Sequence, residues 1–409
     1  MLFADIAATS DRVRATRSRL AKIAALAECL ERLEPFEAEA GVAYLAGEPR
    51  QAKLGVGYAT LRDVAPQPAA PPPTLTVSAV DEALEAIATA SGAGSAGRRK
   101  DLLSALMAAA TEPEQRLLRG LIVREVRQGA LEGVLVEGLT RVAGVDGTAV
   151  RRAVMMAGDV RPVAAAVLRD GPDALERFRL ELFRPIKPML AQTAEDAGSA
   201  VGDGLVIVEH KLDGARIQVH RRGERIEVYT RNLRTATSRI PEIVARVAGL
   251  EVESVVLDGE AIALGADGRP LPFQITMGRF GTEQPSATGA GPQLSAFFFD
   301  CLHLDGVDLI DEPAEVRTEQ MAQRLPTELM PPRRIVATAE EAAEFFDEVL
   351  AAGHEGIMLK SLDAPYAAGR RGAAWLKVKP AHTLDLVVLA VEWGSGRRHG
   401  LLSNLHLGA

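Results

Sequence analysis

The chain has 409 residues, 47% of them hydrophobic and 25% charged, with a formal net charge of −8. That length suggests two or three domains, and no uncharged apolar run reaches the roughly eighteen residues of a membrane helix. The acidic balance argues against a globally basic nucleic-acid binder, so any contact with phosphate must come from local patches. The N-terminal stretch MLFADIAATSDRVRATRSR has no apolar segment followed by a small-residue cleavage site, and the chain reads as cytoplasmic, with no membrane partner. Cys29 and Cys301 are far apart in apolar stretches, which predicts two reduced core residues and neither a disulfide nor a zinc site.

The first third reads as helical. Leu20, Ile23, Leu26, Leu30 and Leu33 recur at spacings of three and four and predict one apolar stripe, preceded by Arg12, Arg14, Arg17 and Arg19. The proline-rich segment 65–75 is expected to be an extended spacer, and ASGAGSAGRRK (90–100) a flexible loop ending in three cations; both read as connections inside one domain. A second helix is predicted over 112–129, opened by Glu112, Pro113 and Glu114 and ended by Gly129. Leu118, Ile122 and Val126 line one face; Arg116, Arg119 and Arg127 fall roughly opposite, on a face that is either solvated or set against an anion.

After residue 178 the texture changes to strands and glycine turns. GARIQVHRRGERIEVYTRN alternates Ala215, Ile217 and Val219 against Arg216, Gln218 and His220, turns at 222–224 and returns through Ile226 and Val228. SVVLDGEAIAL, LSAFFFDCLHLDG, EGIMLKS and AWLKVKP give later strands, with a helix around EEAAEFFDEVLAAG, and another strand starts near Leu384. This is an α+β pattern with mainly antiparallel sheets. In WLKVK, Trp375, Lys377 and Lys379 share a face, and two like charges side by side call for an anion. Asp258 and Glu260 share a face in the same way, and Glu355 stands directly before a glycine. Lys211 ends an apolar strand at an Asp-Gly turn. A lysine attacks phosphorus only as the free amine, which neighbouring cations, desolvation or a metal ion would favour, while carboxylates could hold hydrated Mg²⁺.

EHKLDGAR resembles the K-x-D-G signature of the covalent nucleotidyltransferases, and it is followed in order by TRN (230–232), LDGE (257–260), FFFD (297–300), EGIMLK (355–360) and WLKVK (375–379). KPMLA (187–191), AYLAGEPR (43–50) and EQRLLRGLIVREVRQGALEG are similar to segments of bacterial ATP-dependent DNA ligases that carry a helical DNA-binding domain. The resemblance implies a multidomain chain: an all-α DNA-binding domain over 1–178, an adenylation domain over 179–383, and the start of a truncated OB domain over 384–409. It implies a monomer in the bacterial nucleoid that seals nicked duplex DNA with ATP and Mg²⁺, its activity impaired by the missing barrel. Lys211 would carry AMP, with Glu209, Arg216, Arg231, Glu260, Phe299, Arg371, Lys377 and Lys379 around the nucleotide. Glu260 and Glu355 would serve the metal, and Arg116, Arg119 and Arg127 the DNA. A duplex-binding module without turnover, or an RNA ligase or capping-type enzyme, are the alternative readings.

Overall fold

A computed structural model describes residues 1–64, 72–126, 132–202, 204–281, 293–367, 371–380, 385–394 and 400–408. They form two compact units, Met1–Val150 with Asp159–Arg177 and His382–Ala409, and Arg151–Gly158 with Phe178–Ala381.

The helices in the first part of the chain are α1 (Phe3–Ala15), α2 (Arg19–Leu30), α3 (Ala38–Leu45), α4 (Tyr58–Asp63), α5 (Val77–Thr89), α6 (Ser95–Ala109), α7 (Glu112–Ile122), α8 (Glu132–Ala143), α9 (Gly147–Ala157) and α10 (Val160–Asp170). In α2, Leu26 and Leu30 are buried, as is Leu33 just beyond it, but Leu20 is 78% exposed. A step of three residues turns the helix by about 300°, so two such steps leave Leu20 roughly 120° from Leu26 and off the stripe. Gly138 of α8 lets the two helices close up, since a Cβ there would stand 3.3 Å from that of Leu26. The AYLAGEPR segment is a structural joint: Arg50 donates to Asp81 at 3.0 Å and to Glu85 at 2.9 Å, which ties the end of α3 to α5.

Two sequence expectations change here. The glycine-rich stretch 90–100 is a loop only to Gly94; Ser95 already opens α6, and Arg98, Arg99 and Lys100 are helical. The Arg99 guanidinium reaches back to the carbonyls of Ile87 and Ala90, occupying acceptors that the end of α5 leaves unpaired. The helix predicted over 112–129 ends at Ile122. Thr111 and Glu114 cap its start reciprocally, and Arg124, in the left-handed region at φ 56°, turns the chain so that Glu125 N–H bonds Gly120 O. Leu118 and Ile122 are buried on the predicted face. Val126 instead packs over Gly120 from outside the helix. Arg127 and residues 65–71 of the proline-rich spacer lie outside the described residues.

The described residues of the second unit form two sheets. Their strands are β1 (Leu190–Thr193), β2 (Val206–Lys211), β3 (Ala215–Arg222), β4 (Arg225–Thr230), β5 (Ser254–Ala263), β6 (Leu294–Leu304), β7 (Val307–Asp308), β8 (Arg333–Val336), β9 (Gly356–Ser361) and β10 (Arg371–Val378). One sheet runs β1-β10-β9-β2-β8 and the other β4-β3-β5-β6-β7. The β1–β10 pair is parallel and the other pairs are antiparallel. Between the strands lie α11 (Ala197–Val201), α12 (Pro241–Ala248), α13 (Phe273–Gly281), α14 (Ala314–Arg324) and α15 (Ala339–Ala351). The predicted alternation on β3 is present, but its polar side is not solvated: Gln218 and His220 are as buried as Ile217 and Val219. Gln218 and His220 accept from the backbone of Ile186 and Phe183, so the burial leaves no polar group unpaired there. Both cysteines are buried and free.

The strand expected from Leu384 is β11 (Val387–Trp393), which pairs antiparallel with β12 (Leu402–Gly408). Among the described residues no helix is long and apolar enough to cross a membrane.

Candidate active site

A cavity of about 730 Å³ opens between the two sheets of the second unit. Register explains how the first sheet builds its wall. Glu209 of β2 faces Met358 of β9, which faces Lys377 of β10; one row deeper, Ile207, Lys360 and Trp375 line up in the same way. All of these point one way because strand side chains alternate, while Val208, Leu359, Leu376 and Val378 pack on the opposite face into an apolar core. The shared face read for Trp375 and Lys377 is therefore the cavity wall.

Lys211 closes β2 at the cavity mouth, opposite Gly356, and its ammonium pairs with the carboxylate of Glu355. Lys379 stands 3.6 Å from the other oxygen of Glu355, so one acid is shared by two cations. Gly214 follows in the same turn. A Cβ there would lie 2.3 Å from the carbonyl oxygen of Ala261, so only glycine lets the Lys211 turn rest against β5.

The second sheet supplies Arg216 and Glu260, cross-strand partners on β3 and β5. Arg216 forks onto Asp258, with Nε to Oδ1 at 3.0 Å and Nη2 to Oδ2 at 2.6 Å, and donates to Met189 O at 2.7 Å. Tyr366 hydroxyl donates to the same Asp258. Asp258 thus serves as the anchor of Arg216, a link that shared-face reasoning did not reach. Burial pushes the Glu260 carboxyl up to about 7, with Asp258 adding to the shift and Arg216 and Lys211 opposing it. Phe299 lies edge-on to Trp375 at 5.9 Å, and the Arg216 guanidinium stands 5.3 Å from its ring centre. Arg231 is exposed and lines the rim. Arg371 begins β10; its side chain lies outside the described residues.

Two lining groups, Lys360 and Arg239, were not singled out from the sequence. Lys360 pairs with Glu209 at 2.5 Å and donates to Phe299 O at 2.9 Å, each side chain only 2% exposed. Arg239 lines the cavity and donates to Phe280 O at 2.7 Å. Trp375 stands under Lys360, its ring centre 4.6 Å from the ammonium. A lysine directly after the apolar run Ile357, Met358 and Leu359 in EGIMLK was the available signal, because a lysine buried with such a strand needs a carboxylate. In an acidic protein, the lining cations Lys211, Arg216, Arg231, Arg239, Lys360 and Lys377 outnumber Glu209, Asp213 and Glu260. Such a wall suits a polyanion.

Comparison with known proteins identifies the polyanion's chemistry. A family profile described as "ATP dependent DNA ligase domain" matches residues 188–379, and one described as "DNA ligase N terminus" matches residues 59–140. A "Probable DNA ligase" of Saccharopolyspora erythraea is 52% identical over 410 residues, covering all of this chain and 79% of that relative. The chain belongs to the ATP-dependent DNA ligase family. A "Probable DNA ligase" of Rhodococcus opacus is likewise 52% identical, over 412 residues, covering all of this chain and 80% of the relative. In fold, this ligase is similar to the solved structure named "Pmar-Lig_PreS3", with a TM-score of 0.65 and 18% identity over 98% of this chain and 84% of that one. The matches support neither a binding module without turnover, nor an RNA ligase or capping-type enzyme, nor impaired activity.

The lining of the ligase fits its nucleotide. Glu209 Oε2 is buried on the cavity wall without a hydrogen-bond partner among the described residues, an acceptor waiting for an N–H. Among those residues no three Asp, Glu, His or Cys side chains gather into a metal cage. The separate carboxylates Glu260 and Glu355 fit a cation that keeps its waters and shares its shell with substrate phosphates, as Mg²⁺ does. In the helical unit, Arg116 is exposed and pairs with Asp11 at 3.2 Å, and Arg119 is exposed on the same helix.

Proposed function

We propose that this ligase seals nicks in duplex DNA through an AMP adduct on Lys211. The reading rests above all on Lys211 at the mouth of a cationic cavity that contains the unpartnered acceptor of Glu209. Glu209 would take the adenine amine, Phe299 and Trp375 would flank the base, and Arg216 and Arg231 would meet the sugar and phosphates. Lys377, Lys379 and Arg371 would draw charge from the α-phosphate as Lys211 attacks it and pyrophosphate departs. A hydrated Mg²⁺ held by Glu260 and Glu355 would supply charge neutralisation on the phosphates. For Lys211 to attack, Glu355 must release it, and a shared carboxylate between two lysines can move to another partner without stranding a buried charge.

The adenylate would then pass to the 5′-phosphate of a nick, and the 3′-hydroxyl would displace AMP. Arg116, Arg119 and Arg127 would hold duplex phosphates without reading sequence. Residues 1–178 serve as the DNA-binding domain, 179–383 as the adenylation domain, and the β11–β12 hairpin as part of an OB-type module. The protein would work as a monomer in the bacterial nucleoid. Incubation with α-labelled ATP and Mg²⁺, followed by denaturing mass analysis, tests the reading. One AMP on Lys211, absent from a folded Lys211→Ala variant, is the expected result; an adduct that survives the substitution overturns it.

A further inference from the structure

The nucleobase end of the cavity holds more machinery than adenylation by itself requires. Glu209 and Lys360 are diagonal neighbours across β2 and β9, Glu209 opposite Met358 and Lys360 opposite Ile207. Their pair is 2.5 Å long and both side chains are 2% exposed. Lys360 is fixed from three sides: by Glu209 Oε1, by the carbonyl of Phe299 at 2.9 Å, and by the rings of Phe299 and Trp375 at 4.7 and 4.6 Å. Such a lysine has no freedom to swing toward a phosphate. Its effect is on Glu209, one of whose oxygens it occupies while the other has no partner.

On the far side of Glu209 stands Arg333, its cross-strand partner on β8, with both terminal nitrogens buried and lacking hydrogen-bond partners among the described residues. Glu209 therefore has a competing cation available. It stays on the cavity wall because Lys360 holds it there. A carboxylate fixed in this way offers only acceptors. The 6-position of adenine presents an N–H donor and that of guanine a carbonyl, so the first is bound and the second meets a like-signed oxygen.

We propose that Lys360 is a positioning residue for base selection, pinning Glu209 so that its idle oxygen admits adenine nucleotides and rejects guanine nucleotides. The inference rests on the adenylation reading above and extends it to a residue that touches neither the phosphates nor Lys211. A structural salt bridge alone would not predict a change in the choice between two purines. Freed from Lys360, Glu209 can turn to Arg333, and that change weakens adenine recognition and removes the barrier to guanine.

The test compares single-turnover adduct formation from ATP and from GTP, read by mass as lysyl-AMP or lysyl-GMP. The wild-type protein should strongly favour ATP, and Lys360→Met should reduce the ATP-to-GTP ratio about tenfold or more, because a site built around a hydrogen bond loses discrimination with it. Arg333→Met should leave the ratio unchanged. A folded Lys360→Met protein with the wild-type ratio overturns the proposal while lysyl-AMP in the wild type leaves the adenylation reading intact. Should Lys360→Met not fold, the wild-type protein decides with purine riboside triphosphate, which lacks the 6-amino group. Adduct formation as efficient as with ATP would overturn base selection at Glu209, and a loss of about tenfold or more would uphold it.

Discussion

On the sheet β4-β3-β5-β6-β7, two guanidinium groups are each committed to one acid: Arg216 forks onto Asp258, and Arg317 of α14 forks onto Asp300 at 2.7 and 2.9 Å. At the mouth of the facing sheet, Glu355 is divided between Lys211 and Lys379. The first arrangement fixes geometry; the second leaves charge that can be handed to a substrate. Arginine suits the fixed role because its planar fork matches a carboxylate through two bonds, and lysine suits the other because a point charge can change partners at little geometric cost. A cleft that must grip a nucleotide, pass it on and reset gains from one wall of each kind.

Substitutions can break this contrast. The largest stability effect should come from Arg317→Met, which strands Asp300 in a site where Arg317 is fully buried; a loss of about 3–5 kcal/mol is expected in chemical denaturation. A loss below about 1 kcal/mol would mean that the committed pairs are not what stiffens that wall. Acid should act next, through His220, which burial holds down to about 3 while an unfolded histidine titrates near 6.5. The unfolded chain then binds the extra proton, so this contribution is intact above about pH 6.5 and declines as pH falls toward 3, by about 1.4 kcal/mol per unit. In denaturation between pH 7 and 5, the His220→Gln protein should show a slope smaller than the wild type's by about 1.4 kcal/mol per unit, since His210 and His354, also held down by burial, and Glu260, pushed up, act alike in both proteins. The smallest effect on stability belongs to Lys379→Ala on the adaptable wall. Lys379 is 51% exposed, so stability should change by less than about 1 kcal/mol, while adduct formation should slow severalfold. Equal losses of stability at Lys379 and Arg317 would erase the distinction between the walls.

What could be read from the sequence follows from which interactions are local. The two faces of β10 were legible because alternation is a two-residue property: Trp375 and Lys377 to the cavity, Leu376 and Val378 to the core. The helix after Gly94 was hidden by its glycine and serine content, and it is supported by Arg99 binding carbonyls near the end of the preceding helix. Leu20 leaves the stripe despite its spacing because repeated three-residue steps drift around a helix. EGIMLK displays Lys360 but not its role, since its partner is on a strand some 150 positions earlier and only sheet register joins them. Alternation places Asp258 on one face with Glu260; its task of anchoring Arg216 depends on side-chain reach, which spacing does not encode.

The parallel pairing of β1 with β10 bears on how the molecule is made. Leu190 must wait for Arg371, and Thr193 for Lys377, before that edge of the sheet can form. Contacts so distant along the chain carry a high loop-closure cost and form late. During synthesis the ribosome would release the helical unit and the β3–β4 hairpin well before the nucleotide wall can close. A nascent chain would therefore leave the edges of β1 and β9 open until β10 emerges between them, and those edges are where a chaperone would have most to protect.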